Sequence, residues 1–150
     1  MLWQQGLAVD LVAMENLDRI KEYELVVLPY THLVGEQQSS VLKEYVAGGG
    51  TLVADPGLAF RDRRAWVQPA RPGLDSLFGC REPKLKALLE PVQVVVLDVA
   101  MEVHTMLARL ELCGSGQDLS DGACALITNS VGKGRTFYFS FYPGLSHRAA

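Results

Sequence analysis

Two side chains in this sequence stand where an α/β enzyme keeps its chemistry. Tyr30-Thr31-His32 follows the apolar run Glu24-Leu25-Val26-Val27-Leu28, and Asp55-Pro56-Gly57 follows Thr51-Leu52-Val53-Ala54. Ligands of open α/β sheets bind at the carboxyl ends of the strands. An imidazole and a carboxylate on neighbouring strand ends could therefore exchange protons with a substrate. A plainer explanation competes: Asp-Pro-Gly is common turn chemistry, and a single His in a polar loop is usually solvated. The nucleophile is also missing. An elbow nucleophile would come directly after Ala54, where the residues are Asp, Pro and Gly rather than Ser or Cys. Cys80, Cys113 and Cys124 are scattered and form no CxxC pair. They read as reduced packing thiols, and neither a zinc site nor any other metal or cofactor is expected.

Two glycine motifs invite a phosphate reading and fail it. Gly132-Lys133-Gly134-Arg135 lacks the Ser or Thr that follows the lysine of a phosphate loop, and it leads into a strand. It reads as a hairpin turn. Gly48-Gly49-Gly50 precedes a strand and ends a helix, the reverse of a dinucleotide fingerprint. A third group is Arg61, Arg63, Arg64, Arg71 and Arg81 around Trp66, in a proline-rich stretch. With Tyr30, these residues form either a partner-facing or sugar-facing surface, as Trp and Arg are enriched at interaction hot spots, or a solvated loop. A loop this long in a compact domain usually has a job.

The elements that must hold these residues follow from periodicity. Glu24 to Leu28 reads as a strand buried on both faces, ended by Pro29, which has no backbone donor. From Glu36 the period becomes helical, with Val41, Leu42, Tyr45 and Val46 on one stripe. Glycine at 48–50 stops this helix, and Thr51 to Ala54 is a second buried strand. The unit is βαβ with a right-handed crossover. Ahead of it, Met1 to Gly6 looks like the end of a helix, Val9 to Val12 a short strand, and Asn16 to Tyr23 a short helix capped by Asn16. An opening on a helix end suggests the tail of a longer product. Residues 58–91 are irregular apart from a short helix over Leu74 to Phe78 closed by Gly79. Beyond Pro91 the pattern is strand-like: Val92 to Val99, Thr105 to Leu112, Ala123 to Asn129 and Arg135 to Phe141.

Composition sets the outer bounds. With 150 residues, 49% hydrophobic and 21% charged, the chain is one ordinary globular domain's worth. A net charge of −3 gives no electrostatic case for nucleic acid or acidic membranes. No apolar run reaches spanning length, and no basic segment precedes a hydrophobic one at the start, so a cytoplasmic location is expected.

The assembled pattern resembles the middle domain of family 42-type β-galactosidases, a glutamine-amidotransferase-like trimerisation domain. The residues that carry the resemblance are Gly6 to Val12, Tyr23 to Pro29, Tyr45 to Val53, Pro72 to Gly79, Asp121-Gly122-Ala123-Cys124-Ala125, and Gly132 to Arg135. The resemblance implies a flavodoxin-like three-layer sandwich with a mostly parallel central sheet and a β-rich C-terminal part. It also implies a non-catalytic assembly role, by dimer or trimer formation or against a glycosidase barrel. Two features depart from family patterns. The family domain opens with a strand and a full helix that this chain lacks, leaving sheet edges to be filled by another chain or by direct pairing of the Val9 and Leu25 strands. The cysteine of enzymatic amidotransferases has no counterpart after Ala54. Glycoside hydrolysis needs two carboxylates on a scaffold that grips the sugar, and a barrel that could carry them takes about 250 residues. The chain alone is therefore not expected to hydrolyse galactosides. The alternatives are a small amidotransferase-like or ThuA-like carbohydrate-processing enzyme using His32 and Asp55, and a sugar-binding module using Trp66.

Overall fold

β1 (Leu25–Leu28) and β2 (Thr51–Ala54) run parallel, with Leu25 opposite Thr51 and Leu28 opposite Ala54, and α1 (Glu36–Ala47) connects them. The periodicity placed all three. Leu42, Tyr45 and Val46 of the α1 stripe are buried. The Gly35 N–H donates to Gln38 Oε1 at the helix start, and Gly49 takes a φ of +122° just past its end, where a Cβ would be strained. The Tyr45 hydroxyl reaches the carbonyls of Tyr23 and Thr51, tying the helix to both strand entrances.

The computed structural model describes residues 6–61, 64, 66–67, 71, 73–121 and 124–148. The helix end expected at residues 1–5, and Ala123 at the start of an expected strand, lie outside them. The other elements in chain order are α2 (Leu74–Phe78), β3 (Cys80–Ala87), β4 (Val92–Val96), β5 (Val99–Val103), β6 (Met106–Leu112), β7 (Gln117–Asp118), β8 (Leu126–Val131), β9 (Gly134–Phe139) and β10 (His147–Arg148). The main sheet has the order β1-β2-β9-β8-β7; β3 pairs with β6, and β4 and β5 form a sheet with β10.

These pairings correct the expected flavodoxin-like sandwich. β2 and β9 are parallel, but β9–β8 and β8–β7 are antiparallel, as are all pairs of the two smaller sheets. The sheets are mixed or antiparallel, and strand outweighs helix. The cause is local. Parallel neighbours need crossover connections of about a dozen residues or more, whereas this chain reverses tightly after β2. Leu97 and Asp98, both at positive φ, join β4 to β5, and Gly132-Lys133 joins β8 to β9 with Gly132 at +60°. The glycine–lysine motif is thus a hairpin turn.

Further differences concern the edges. β1 ends the main sheet and is not buried on both faces: Val26 and Leu28 pack inward, while Leu25 and Val27 are 47% and 44% exposed. Val9 to Val12 belongs to no strand or sheet. The following segment, Met14–Glu22, is a 3-10 helix entered from Ala13, with a kink at Asn16 in place of the expected Asn cap. β3 lies in the stretch expected to be irregular.

Two apolar clusters sit on opposite sides of the β8–β9 ladder. Leu42, Val46, Leu52, Leu74, Phe78, Ile127 and Tyr138 belong to the larger. Val94, Val96, Val103, Leu126 and Phe141 form the smaller, with Phe137 and Phe139 packed on it. Strand alternation sends Leu126 one way and Ile127 the other.

Candidate functional site

The carboxyl ends of β1 and β2 meet at one place, and β1 turns there through Tyr30 at φ +51°. That conformation is uncommon for a non-glycine residue, and two contacts hold it. The Tyr30 N–H donates to Asp55 Oδ1 at 2.9 Å, and its ring stacks on Tyr142 with centroids 4.3 Å apart. Asp55 is 7% exposed. Burial lifts its carboxyl to about 6, with the nearby Glu82 charge adding to the rise and the Tyr30 N–H opposing it.

Glu82, on β3, was not foreseen from the sequence. Both its carboxylate oxygens accept from the Gly57 N–H at 3.1 Å, and Oε2 also accepts from the hydroxyl of Tyr138 on β9. Burial raises the Tyr138 phenol well above its ordinary value. Tyr142 is pushed up to about 12 by burial and then by the Asp55 charge. Arg71 lies under the Tyr138 ring, its guanidinium carbon 4.8 Å from the centroid. It binds Asp75 Oδ1 at 2.7 Å and the Cys80 carbonyl at 2.8 Å. The only sequence signals for Glu82 and Tyr138 were a lone Glu before Pro83 and a Tyr among strand aromatics.

His32 and Asp55 are brought to the same crevice but form no hydrogen-bonded pair. The imidazole lies 6.5 Å from the Tyr30 ring, and its Nε2 is buried without a partner among the described residues. That nitrogen would be 2.9 Å from a Cβ at Gly57, so glycine is required there by closeness as well as by its φ of +82°. Neither Ser nor Cys stands directly after Ala54, where Asp55, Pro56 and Gly57 follow. Burial pushes the Cys80 thiol up to about 12, which leaves it protonated and inert at neutral pH. Cys113 donates to the Asp75 carbonyl. Among the described residues, no group of three or more His, Cys, Asp or Glu could hold a metal ion.

The Trp/Arg stretch folds back on this end of the sheet. Arg61 bridges Leu33 on one side and Val67 on the other, and its N–H donates to the His32 carbonyl. Tyr30, Leu33, Trp66 and Val67 are 49%, 55%, 73% and 57% exposed there, with Arg61 and Arg64 also at the surface. Arg63 lies outside the described residues. Arg71 does not join this surface, being buried against Asp75, and Arg81 is on β3. An open hollow of about 840 Å³ occupies the opposite end of the strands, lined by Lys21, Glu24, Glu44 and Gly48 among others, far from the predicted chemistry. No helix among the described residues is long and apolar enough to cross a membrane.

Known proteins give this arrangement a context. Residues 1–148 match the family described as the beta-galactosidase trimerisation domain. Beta-galactosidase Bga of Halorubrum lacusprofundi is 26% identical over 161 residues, covering 93% of this chain and 23% of its own. Gan42B, a GH42 beta-galactosidase from G. stearothermophilus, shares the fold with a TM-score of 0.84 at 22% identity, over 93% of this chain and 22% of that one. The beta-galactosidase of Rahnella sp. R3 also reaches 0.84, at 20% identity, over 99% and 23%. This chain therefore spans under a quarter of the length of those relatives. The family match takes in both the strand-end crevice and the hairpin ladder behind it, and the chain belongs to the beta-galactosidase trimerisation domain family.

Proposed function

We propose that this chain is a non-catalytic assembly domain of a β-galactosidase-like glycoside hydrolase, joining subunits while the hydrolytic carboxylates belong to a separate barrel. One observation carries the reading: the acidic groups at the strand ends are spent on the fold itself. Glu82 holds Gly57 and Tyr138, and Asp55 holds Tyr30. Around them the surface exposes Tyr30, Leu33, Trp66 and Val67 with Arg61 and Arg64. Tyr30, Arg61, Arg63, Arg64 and Trp66 are proposed as contact residues, for the barrel or for carbohydrate. Dimer or trimer formation, and a cytoplasmic location in keeping with three free cysteines, belong to the same proposal.

Sedimentation equilibrium over micromolar concentrations tests the assembly role, and a chromogenic galactoside tests the absence of hydrolysis. A dimer or trimer without turnover is expected. A strict monomer, or turnover abolished by Asp55→Asn, would remove the reading. The unpartnered His32 Nε2 beside Gly57, two residues after Asp55, favours a second reading, a small carbohydrate-processing enzyme. It requires an activity lost in His32→Ala.

A further inference from the structure

The outward face of the β3–β6 sheet concentrates positive charge in a chain whose net charge is −3. Alternation decides which side chains share that face. Leu85, Ala108 and Leu110 pack on the larger core, so the residues between them point away from it. The register sets Arg81 opposite Glu111, Lys84 opposite Arg109 and Lys86 opposite Leu107. Arg81, Lys84, Lys86 and Arg109 are all exposed. Four cations of the two strands therefore share this face with Glu111 as their one carboxylate. Glu82, beside Arg81, turns its carboxylate away to the Gly57 N–H and the Tyr138 hydroxyl.

The arrangement works against the fold. Residues directly opposite in an antiparallel pair have Cβ atoms about 5 Å apart, and like charges there destabilise the sheet. Lys84 and Arg109 stand in that relation. Glu111 relieves only one of the cations, holding Arg109 at 3.3 Å. Arg81, Lys84 and Lys86 make no ion pair among the described residues. A surface selected for solubility alone intersperses the two signs.

We propose that this face docks a carboxylate-rich surface of another protein. Arg81 and Arg109 offer planar forks that match carboxylates, and the ammonium groups of Lys84 and Lys86 add point charges from one side of the strand, about 7 Å apart. The partner's carboxylates relieve the repulsion between Lys84 and Arg109 as they bind. Two copies of this chain cannot meet symmetrically through the face, because like charges would oppose each other across the interface. Single-stranded nucleic acid is a poor match, since it is gripped by aromatic platforms and these six positions carry none. The contact is separate from the Trp66 surface and does not depend on the assembly role.

Fluorescence anisotropy of a labelled hexaglutamate peptide with the 150-residue chain at low salt tests this. The wild-type chain is expected to bind, and the double variant Lys84→Glu, Lys86→Glu to bind at least about tenfold more weakly. Lys84→Gln with Lys86→Gln repeats the test without added negative charge, and circular dichroism confirms that each variant is folded. Lys133→Glu makes the same charge change on the exposed β8–β9 turn and is expected to leave affinity within about twofold. Lys84→Glu alone sets a carboxylate opposite Arg109, so its Tm is expected to rise by about 1–3 °C while binding falls. No binding by wild type, undiminished binding by the folded double variants, or an equal loss in Lys133→Glu would overturn the proposal. Tighter binding of a labelled hexathymidylate would reassign the face to nucleic acid and overturn it too. Sedimentation of the double variants is expected to match wild type, whatever the wild-type oligomer. Loss of that oligomer would place a second copy on the face and overturn the proposal while leaving the assembly role standing.

Discussion

Tyr138 on β9 donates its hydroxyl to Glu82 on β3 at 2.5 Å, joining the main sheet to the β3–β6 sheet across 56 positions of sequence. The same carboxylate takes the Gly57 N–H, so one acidic side chain fastens the turn after β2 to both sheets. Tyr138→Phe leaves the half-buried Glu82 carboxylate short of a donor. It is expected to lower stability by about 1–3 kcal/mol, measured by urea unfolding. Glu82→Gln keeps an acceptor oxygen for Gly57 and should cost less.

Arg71 is the second fastening. It is 7% exposed, pairs with Asp75, and lies against the Tyr138 ring. Arg71→Met leaves Asp75 without its partner and the Cys80 carbonyl without its donor. A loss of about 3–5 kcal/mol is expected. Arg71→Lys should recover only part of it, because an ammonium lacks the planar fork that reaches Asp75 and Cys80 together. Full recovery with Lys would show that charge alone is used.

Asp55 sets a pH dependence. Its carboxyl titrates at about 6 in the folded chain, above the ordinary 3.8. The folded state therefore binds the proton more tightly than the unfolded one between those values. Stability from this group is fully present below pH 4, falls as pH rises through 6, and stays low above it. Asp55→Asn cannot ionise and should flatten that slope, raising the melting temperature at pH 7.5 relative to wild type. A slope unchanged in the variant would assign it to another group.

Gly134 is set by closeness rather than by φ. A Cβ there would lie 2.0 Å from the Val46 carbonyl oxygen and 2.4 Å from that of Gly50. Both are backbone, so neither can move aside cheaply. Gly134→Ala is expected to cost about 3 kcal/mol, while Gly144→Ala, with nothing within 4 Å, should be neutral. Thermal unfolding of the two variants side by side decides it.

The parts visible from sequence were those with strong periods of their own. Val41, Leu42, Tyr45 and Val46 mark α1 because a helix stripe is a local property. Thr51 to Ala54 follows from the glycine stop. β3 was hidden because Cys80-Arg81-Glu82-Pro83-Lys84 is charged and contains a proline; the register shifts between Arg81 and Lys84, around that proline. The β4–β5 reversal was hidden because Leu97 and Asp98 take positive φ without a glycine to announce it. Val9 to Val12 has the alternation of a strand, yet strandhood requires a neighbour that no local pattern supplies. At the candidate site, His32, Asp55 and Tyr30 were found because they follow strand ends. Glu82, Tyr138 and Arg71 come from residues 71–138, and only the folded chain brings them to the same crevice.

The division of apolar side chains across β8 and β9 has an evolutionary corollary. Leu126 and Ile127 are neighbours in the chain but answer to different surroundings, as do Phe139 and Tyr138. A substitution on one side is felt on the other only through the shared backbone, so changes on the two sides should accumulate almost independently. The half bearing β4 and β5 is free to drift toward new surface shapes while the half bearing α1 and Tyr138 keeps its packing.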